Sequence, residues 1–286
     1  MEGCNMVSNK AEIEKIENYA FNMRKHILNM SLAAGAYSSH LGGGLSIVDI
    51  TATLFGAVMN HDKKKPQWPD RDRFILSKGH GCLGYYSALC ESGYLTEDDL
   101  KTFEQPGSVL LGHPVRNLSL GIDFSTGSLG MGLSLGIGVA LSVKMKKRKS
   151  RIFVLMGDGE TNEGSVWEGV MAASQYQLNN LVAIIDKNGY QQTGTNKEIM
   201  CIGDIATKFE GFGWNVKVVD GHSVNELFDA LNSENNSNKP LVVIANTVKG
   251  KGISFAENNN DWHHIVLTKA NYDEAMEGLL ESGGEV

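Results

Sequence analysis

Residues 151–194, RIFVLMGDGETNEGSVWEGVMAASQYQLNNLVAIIDKNGYQQTG, constrain the fold more than any other stretch of the chain. Ile152 to Met156 is a short apolar run whose length and β-branched and aromatic content suit a buried strand. Gly157-Asp158-Gly159 stops it. A helical pattern follows from about Ser165, with Val166, Val170, Ala173 and Tyr176 at helical spacings. A second apolar run, Leu181 to Ile185, ends in Asp186-Lys187-Asn188-Gly189. Strand, helix and strand in this order form a βαβ unit, which brings the carboxyl ends of both strands to one edge of a parallel sheet. Asp158 and Asn188 are therefore expected side by side.

A carboxylate, an amide oxygen and free loop carbonyls make a hard oxygen site suited to magnesium or calcium. The flanking glycines let backbone approach a ligand closely, and the helix start that follows favours anions. A divalent ion held by one carboxylate keeps positions open for phosphate oxygens, so the spacing fits a metal-bridged diphosphate. GDG and NG are also common turn pairs. Two such turns at the ends of neighbouring strands weigh against a purely structural role.

The rest of the chain extends the pattern. Residues 1–10 read as frayed, and 11–36 as a long helix with Ile13, Ile16, Tyr19, Ala20, Met23, Ile27 and Met30 on its apolar face. SSHLGGGLSIVDI reads as a glycine turn leading into a helix over 46–59; a tight turn, and not core packing, accounts for its three consecutive glycines. Strands are expected at 72–76, 215–219 and 240–245, and helices at 133–143, 205–212, 224–231 and 268–280. The six basic residues of 144–151 suit a solvated helix end. These alternating elements predict an α/β fold: a single domain over 1–286, three-layer αβα, doubly wound on a mostly parallel sheet, with a helical tail over 265–286.

Composition narrows the function. A formal charge of -7, from 26 basic and 33 acidic residues, without a long single-sign block argues against a nucleic-acid partner. Four cysteines without metal-ligand spacing read as reduced thiols, and no run of eighteen apolar residues or signal pattern occurs. A cytoplasmic protein without a membrane partner is expected. His40, His80, His113 and His263 all fall in glycine-containing or irregular loops, where ligands bind at the carboxyl edge of such a sheet. Imidazoles there can pass protons and donate to developing alkoxides near neutral pH.

GDG followed by an asparagine some thirty residues later resembles the thiamine diphosphate motif, and the stretch is most similar to the amino-terminal half of transketolases. DRFILSKGH is close to the family segment that ends in an active-site histidine, here His80, with Lys78 two residues before it. GHP carries His113, STGSLGMG resembles the family's TTGxLGxG, and NTVKGKGI matches its lysine-glycine turn at Lys249, fourteen residues before His263. The resemblance spans roughly residues 37–264. The chain has HLGGG after His40 where the family commonly has HPG.

The resemblance implies thiamine diphosphate and magnesium as cofactors, with calcium or manganese as substitute ions. Asp158, the Asn188 side chain and the Tyr190 carbonyl would hold the metal. Gly159 would lie against the diphosphate, as would His263, and the backbone of Gly127 and Leu129 near the cofactor. Lys78, His80 and Lys249 would join the cofactor site. His40, His80, His113 and His263 would surround the reactive carbon and the substrate oxygens. Glu163 matches the acidic residue that links two cofactor sites across a dimer interface.

In the family, a second domain supplies the glutamate that activates the aminopyrimidine and the arginines that grip a substrate phosphate. The chain therefore resembles the amino-terminal subunit of a split transketolase, inactive alone. Its expected partner is a carboxyl-terminal subunit, in an α2β2 heterotetramer acting on sugar substrates. The donor ketose stays open among phosphorylated, sulfonated and deoxy sugars. Three other readings compete: the alpha subunit of a 2-oxo acid dehydrogenase, the single-chain deoxyxylulose phosphate synthase, and a non-catalytic cofactor-binding module. SKGH, the TTG-like segment and KGKG favour transketolase. A dinucleotide-binding protein would need a GxGxxG turn after an early strand.

Overall fold

The apolar runs form five strands: β1 (Arg73–Leu76), β2 (Ile152–Gly157), β3 (Leu181–Lys187), β4 (Asn215–Asp220) and β5 (Leu241–Asn246). All pair in parallel in the order β1-β2-β3-β5-β4. This computed structural model describes residues 2–233, 235 and 237–283. The helices are α1 (Glu2–Ala34), α2 (Leu41–Leu45), α3 (Val48–Thr53), α4 (Cys82–Glu91), α5 (Glu97–Leu100), α6 (Gly132–Met145), α7 (Gly164–Gln175), α8 (Asn196–Ile199), α9 (Ile205–Gly211), α10 (Val224–Asn232) and α11 (Lys269–Gly283).

Side chains alternate across the pleat, so each central strand feeds two cores. Phe153, Leu155, Val182, Ile184 and Val243 pack with α1, α3, α4, α10 and α11. Ile152, Val154, Met156, Ala183, Ile185 and Ile244 pack on the other face with α6, α7 and α9. Burial on both faces explains why the strands read as continuous apolar runs. The expected three-layer, doubly wound parallel architecture is therefore the observed one.

Several boundaries differ from the sequence reading. The α1 backbone is helical from Glu2 and not from residue 11, consistent with the absence of proline there. Met1 and residues 284–286 of the expected tail lie outside the described residues. Tyr176 is 53% exposed at the end of α7, whereas Val166, Val170 and Ala173 are buried. The 46–59 helix is α3 followed by one π-helical turn, Leu54–Val58. Although apolar enough to cross a membrane by length and composition, the Leu41–Val58 run is 94% buried within the fold.

The largest correction concerns HLGGG. Its glycines form the buried helix α2, not a turn. A Cβ on Gly44 would come within 2.8 Å of the Leu83 side chain, and one on Gly43 within 3.1 Å of the His80 ring. One on Gly42 would meet the Trp262 carbonyl at 3.1 Å. Missing side chains let α2 pack against the start of α4, the loop that carries His80 and the loop that carries Trp262. Close packing is thus the reason for all three glycines.

Candidate active site

Parallel register sets Gly157 opposite Asp186, and the Asp158 amide donates to the Asp186 carbonyl at 3.1 Å. One Asp158 carboxylate oxygen accepts from the Gly159 amide at 2.8 Å, the other from the Gly189 amide at 2.7 Å. The two turns are thereby tied together. The Asn188 amide oxygen accepts from the Tyr190 amide at 3.0 Å, and its Nδ2 donates to Asp186 at 2.9 Å. Asp158 is buried, and burial followed by the neighbouring Asp186 charge pushes its carboxyl up to about 6. A cation beside it would relieve both effects. The donors are oxygens, and among the described residues no group of three His, Cys, Asp or Glu side chains is poised for a metal. The corner therefore fits a hard divalent ion and not zinc.

This corner opens into a cleft of about 510 Å³. All the sequence-predicted site residues line it except Lys249, which lies directly behind His263. The loops approach one another closely enough to demand glycine: a Cβ on Gly79 would lie 2.9 Å from the Gly127 amide nitrogen. A Cβ on Gly159 would sit 2.8 Å from Gln191. Gln191 Nε2 is buried without a hydrogen-bond partner, an orphaned donor in the cleft wall. Leu129 stands exposed at the rim. Glu163 is exposed immediately before α7, and its side chain makes no cap hydrogen bond.

His40 is at the centre of the histidine group. Its ring centroid lies 5.5 Å from His80, 5.6 Å from His113, 5.4 Å from His263 and 4.3 Å from His264. Burial, then the neighbouring imidazoles, lowers His40 to about 3; burial, then Lys249, lowers His263 to about 4. Burial and Lys78 hold His80 well below its ordinary value. His113 is also lowered, chiefly by burial. These rings are neutral at pH 7, so each offers one donor and one acceptor. Lys249 Nζ lies 2.9 Å from His263 Nδ1 and is also held by the Gln191 carbonyl and Asn260. An ammonium has only donors, so Nδ1 accepts and the His263 proton sits on Nε2. Burial lowers Lys249 to about 8.

Lys78 is committed below the cleft floor. Its ammonium pairs with the fully buried Asp186 and donates to the Gly43 carbonyl at 3.1 Å. Asp186 also accepts from Ser46 at 2.7 Å and from Thr247, besides Asn188. Sequence reasoning passed over this carboxylate, although an aspartate ending an apolar strand signals a buried charge that must be paired. It also missed Glu160. Buried beside Asp158, Glu160 accepts from the Gly130 amide at 2.8 Å, the Gly157 amide at 3.1 Å and the Ser77 hydroxyl. That carboxylate ties the loops after β1 and β2 to the loop before α6.

A family model described as "Transketolase, thiamine diphosphate binding domain" matches residues 17–279. The chain belongs to the transketolase family. Among transketolase relatives, it is 42% identical over 270 residues to one of the subunits of the apulose-4-phosphate transketolase of Actinobacillus succinogenes, covering 94% of this chain and 97% of that one. It is 39% identical over 245 residues to a 6-deoxy-6-sulfo-D-fructose transketolase subunit of a Clostridium species, covering 85% and 89%. The solved transketolase of Leishmania mexicana superposes with a TM-score of 0.85 at 28% identity, over 92% of this chain but 41% of that one. The chain thus spans nearly the whole of the subunit-type transketolases and less than half of the solved enzyme. Its activity class is that of a transketolase-type transferase, and its cleft suits the cofactor of the family description. Among the described residues Asp158 makes no ion pair and Gln191 Nε2 has no acceptor, and both line the cleft.

Proposed function

We propose that this chain is the amino-terminal subunit of a two-chain, cytoplasmic transketolase that moves a two-carbon ketol unit from an anionic ketose to an aldose. The observation that carries this reading is the cleft itself, where the oxygen corner and the histidine group face one space. Asp158, the Asn188 amide oxygen and the Tyr190 carbonyl would hold magnesium, with calcium or manganese as substitutes, and the chemistry supplied there would be neutralisation of the diphosphate charge. Gly159 and Gln191 would take the diphosphate, His263 would donate to it from Nε2, and Gly127 and Leu129 would border the cofactor. Bound thiamine diphosphate supplies a nucleophilic carbon for ketol transfer. His40, His80 and His113, neutral at pH 7, donate to and accept from substrate hydroxyls and carry protons between them. Lys249 fixes the His263 tautomer, and the Lys78–Asp186 pair fixes Asn188.

A carboxyl-terminal partner chain completes the site. Glu163, exposed and without a cap hydrogen bond at the start of α7, supports an assembly in which this carboxylate meets a neighbouring copy. The assembly is α2β2, and light scattering of the purified complex should give the mass of two copies of each chain; an αβ mass would refute it. The reaction is tested by assaying the complex for ketol transfer and for 2-oxo acid decarboxylation. Ketol transfer from phosphorylated or sulfonated ketoses is expected. Decarboxylation without ketol transfer would overturn the proposal.

A further inference from the structure

Two loops meet at the outer end of the histidine group. Ser39 and Ile265 exchange backbone hydrogen bonds of 3.1 Å in both directions, an isolated antiparallel bridge that joins residues 38–40 to 263–265. The bridge sets the side chains of Ser38 and His264 against each other. Ser38 Oγ lies 2.9 Å from His264 Nε2 and 3.3 Å from Nδ1, and donates its own proton to the Tyr37 carbonyl at 2.6 Å. With that proton committed, the hydroxyl accepts from His264, and the shorter contact places the imidazole proton on Nε2. Nδ1 keeps an open lone pair, and so does the serine oxygen.

The pair occupies a distinct level of the site. The rings of His80 and His263 lie 5.6 Å apart on half-buried residues, whereas His113 and His264 are exposed. His80 and His263 thus form the inner level near the cofactor corner. His113 and His264 form an outer level, exposed to solvent, with His40 between the two. Ser38 holds a φ of 61°, an unfavourable backbone for a residue with a Cβ. Such a conformation persists where surrounding contacts enforce it, and here it sets the Ser38 hydroxyl against His264, whose ring lies 4.3 Å from that of the cleft-lining His40.

We propose that His264 and Ser38 form a hydroxyl-binding subsite at the mouth of the cleft, which grips the sugar chain beyond the two transferred carbons. The proposal rests on the ketol-transfer reading above. Its ligand is a neutral polyhydroxy chain, whose hydroxyl protons a serine oxygen and an imidazole lone pair accept. A substrate extending outward past His40 reaches this pair after leaving the inner histidines.

The test compares a five-carbon ketose with a three-carbon ketol donor in the reconstituted complex, using His264→Ala, His264→Gln and Ser38→Ala. Losing one hydrogen bond to the longer chain should lower the long-to-short ratio of kcat/KM about tenfold in His264→Ala. Most of the change should lie in KM, with partial recovery in His264→Gln. Thiamine diphosphate affinity by calorimetry shows whether each variant is folded. An unaltered ratio in variants that bind the cofactor normally would overturn the subsite. A wild-type complex without ketol transfer would instead refute the reaction. In that case calorimetry of the same five-carbon ketose on wild type and His264→Ala judges the subsite, and equal affinities would overturn it.

Discussion

Replacing Lys78 with methionine removes the cation that neutralises Asp186 while keeping most of the side-chain volume. The two groups are 2% and 0% exposed, so the orphaned carboxylate has no route to water. Ser46, Thr247 and Asn188 would still donate to it, but none carries charge. Breaking a buried pair by deleting one partner costs about 3–5 kcal/mol, and the residual donors argue for the lower half of that range. Urea unfolding of the isolated chain, with the m value held common, measures this directly. Lys78→Met/Asp186→Asn removes both charges of the pair and should recover about 1–2 kcal/mol of the loss. The pH dependence carries a sign. Burial raises the Asp186 carboxyl, but Lys78 outweighs it and the net direction is down. A depressed carboxyl contributes stability above its unfolded value of 3.8 that is lost as pH falls through the folded value. The wild-type advantage over Lys78→Met should therefore be largest near neutrality and shrink in acid. A variant within about 0.5 kcal/mol of wild type at pH 7 would refute the reasoning.

Asp158→Ala should abolish magnesium-dependent binding of thiamine diphosphate by the complex, and Asn188→Ala should weaken it; unaltered calorimetric affinity in both would remove the corner from the cofactor site. His80→Ala should fold and lose turnover on the order of 10²–10⁴-fold as a proton carrier, and His263→Ala should lose turnover by binding the diphosphate less well. If saturating cofactor restores turnover in the His263 variant, that residue binds and does not transfer protons. Because His40 is lowered from 6.5 to about 3, its neutral form contributes stability above pH 6.5 that fades as pH falls towards 3. His40→Asn should flatten the stability curve across that window, and identical curves would contradict the neutral-ring assignment.

The fold was legible because buried parallel strands write themselves as apolar runs, and β2 and β3 carry theirs almost without interruption. Asp158 and Asn188 were legible for the same reason: once two strands are parallel neighbours, their end loops must meet. The HLGGG segment was not. Its glycines answer to Leu83, His80 and Trp262, neighbours from α4 and two loops, and no local pattern separates a packing glycine from a turning one. Asp186 stayed hidden because its partners come from Ser46, Lys78 and Thr247. His264 was overshadowed by His263. The bridge between Ser39 and Ile265, far apart in sequence, brings the second histidine beside His40.

Reconstitution tests the central claim most directly. The purified chain is titrated with its carboxyl-terminal partner at saturating thiamine diphosphate and magnesium, and two-carbon ketol transfer is followed at each ratio. No transfer should occur without partner at any cofactor concentration, and activity should rise to a plateau at one partner per chain. Ketol transfer by the purified chain alone, or no transfer at any ratio, would contradict the two-chain account.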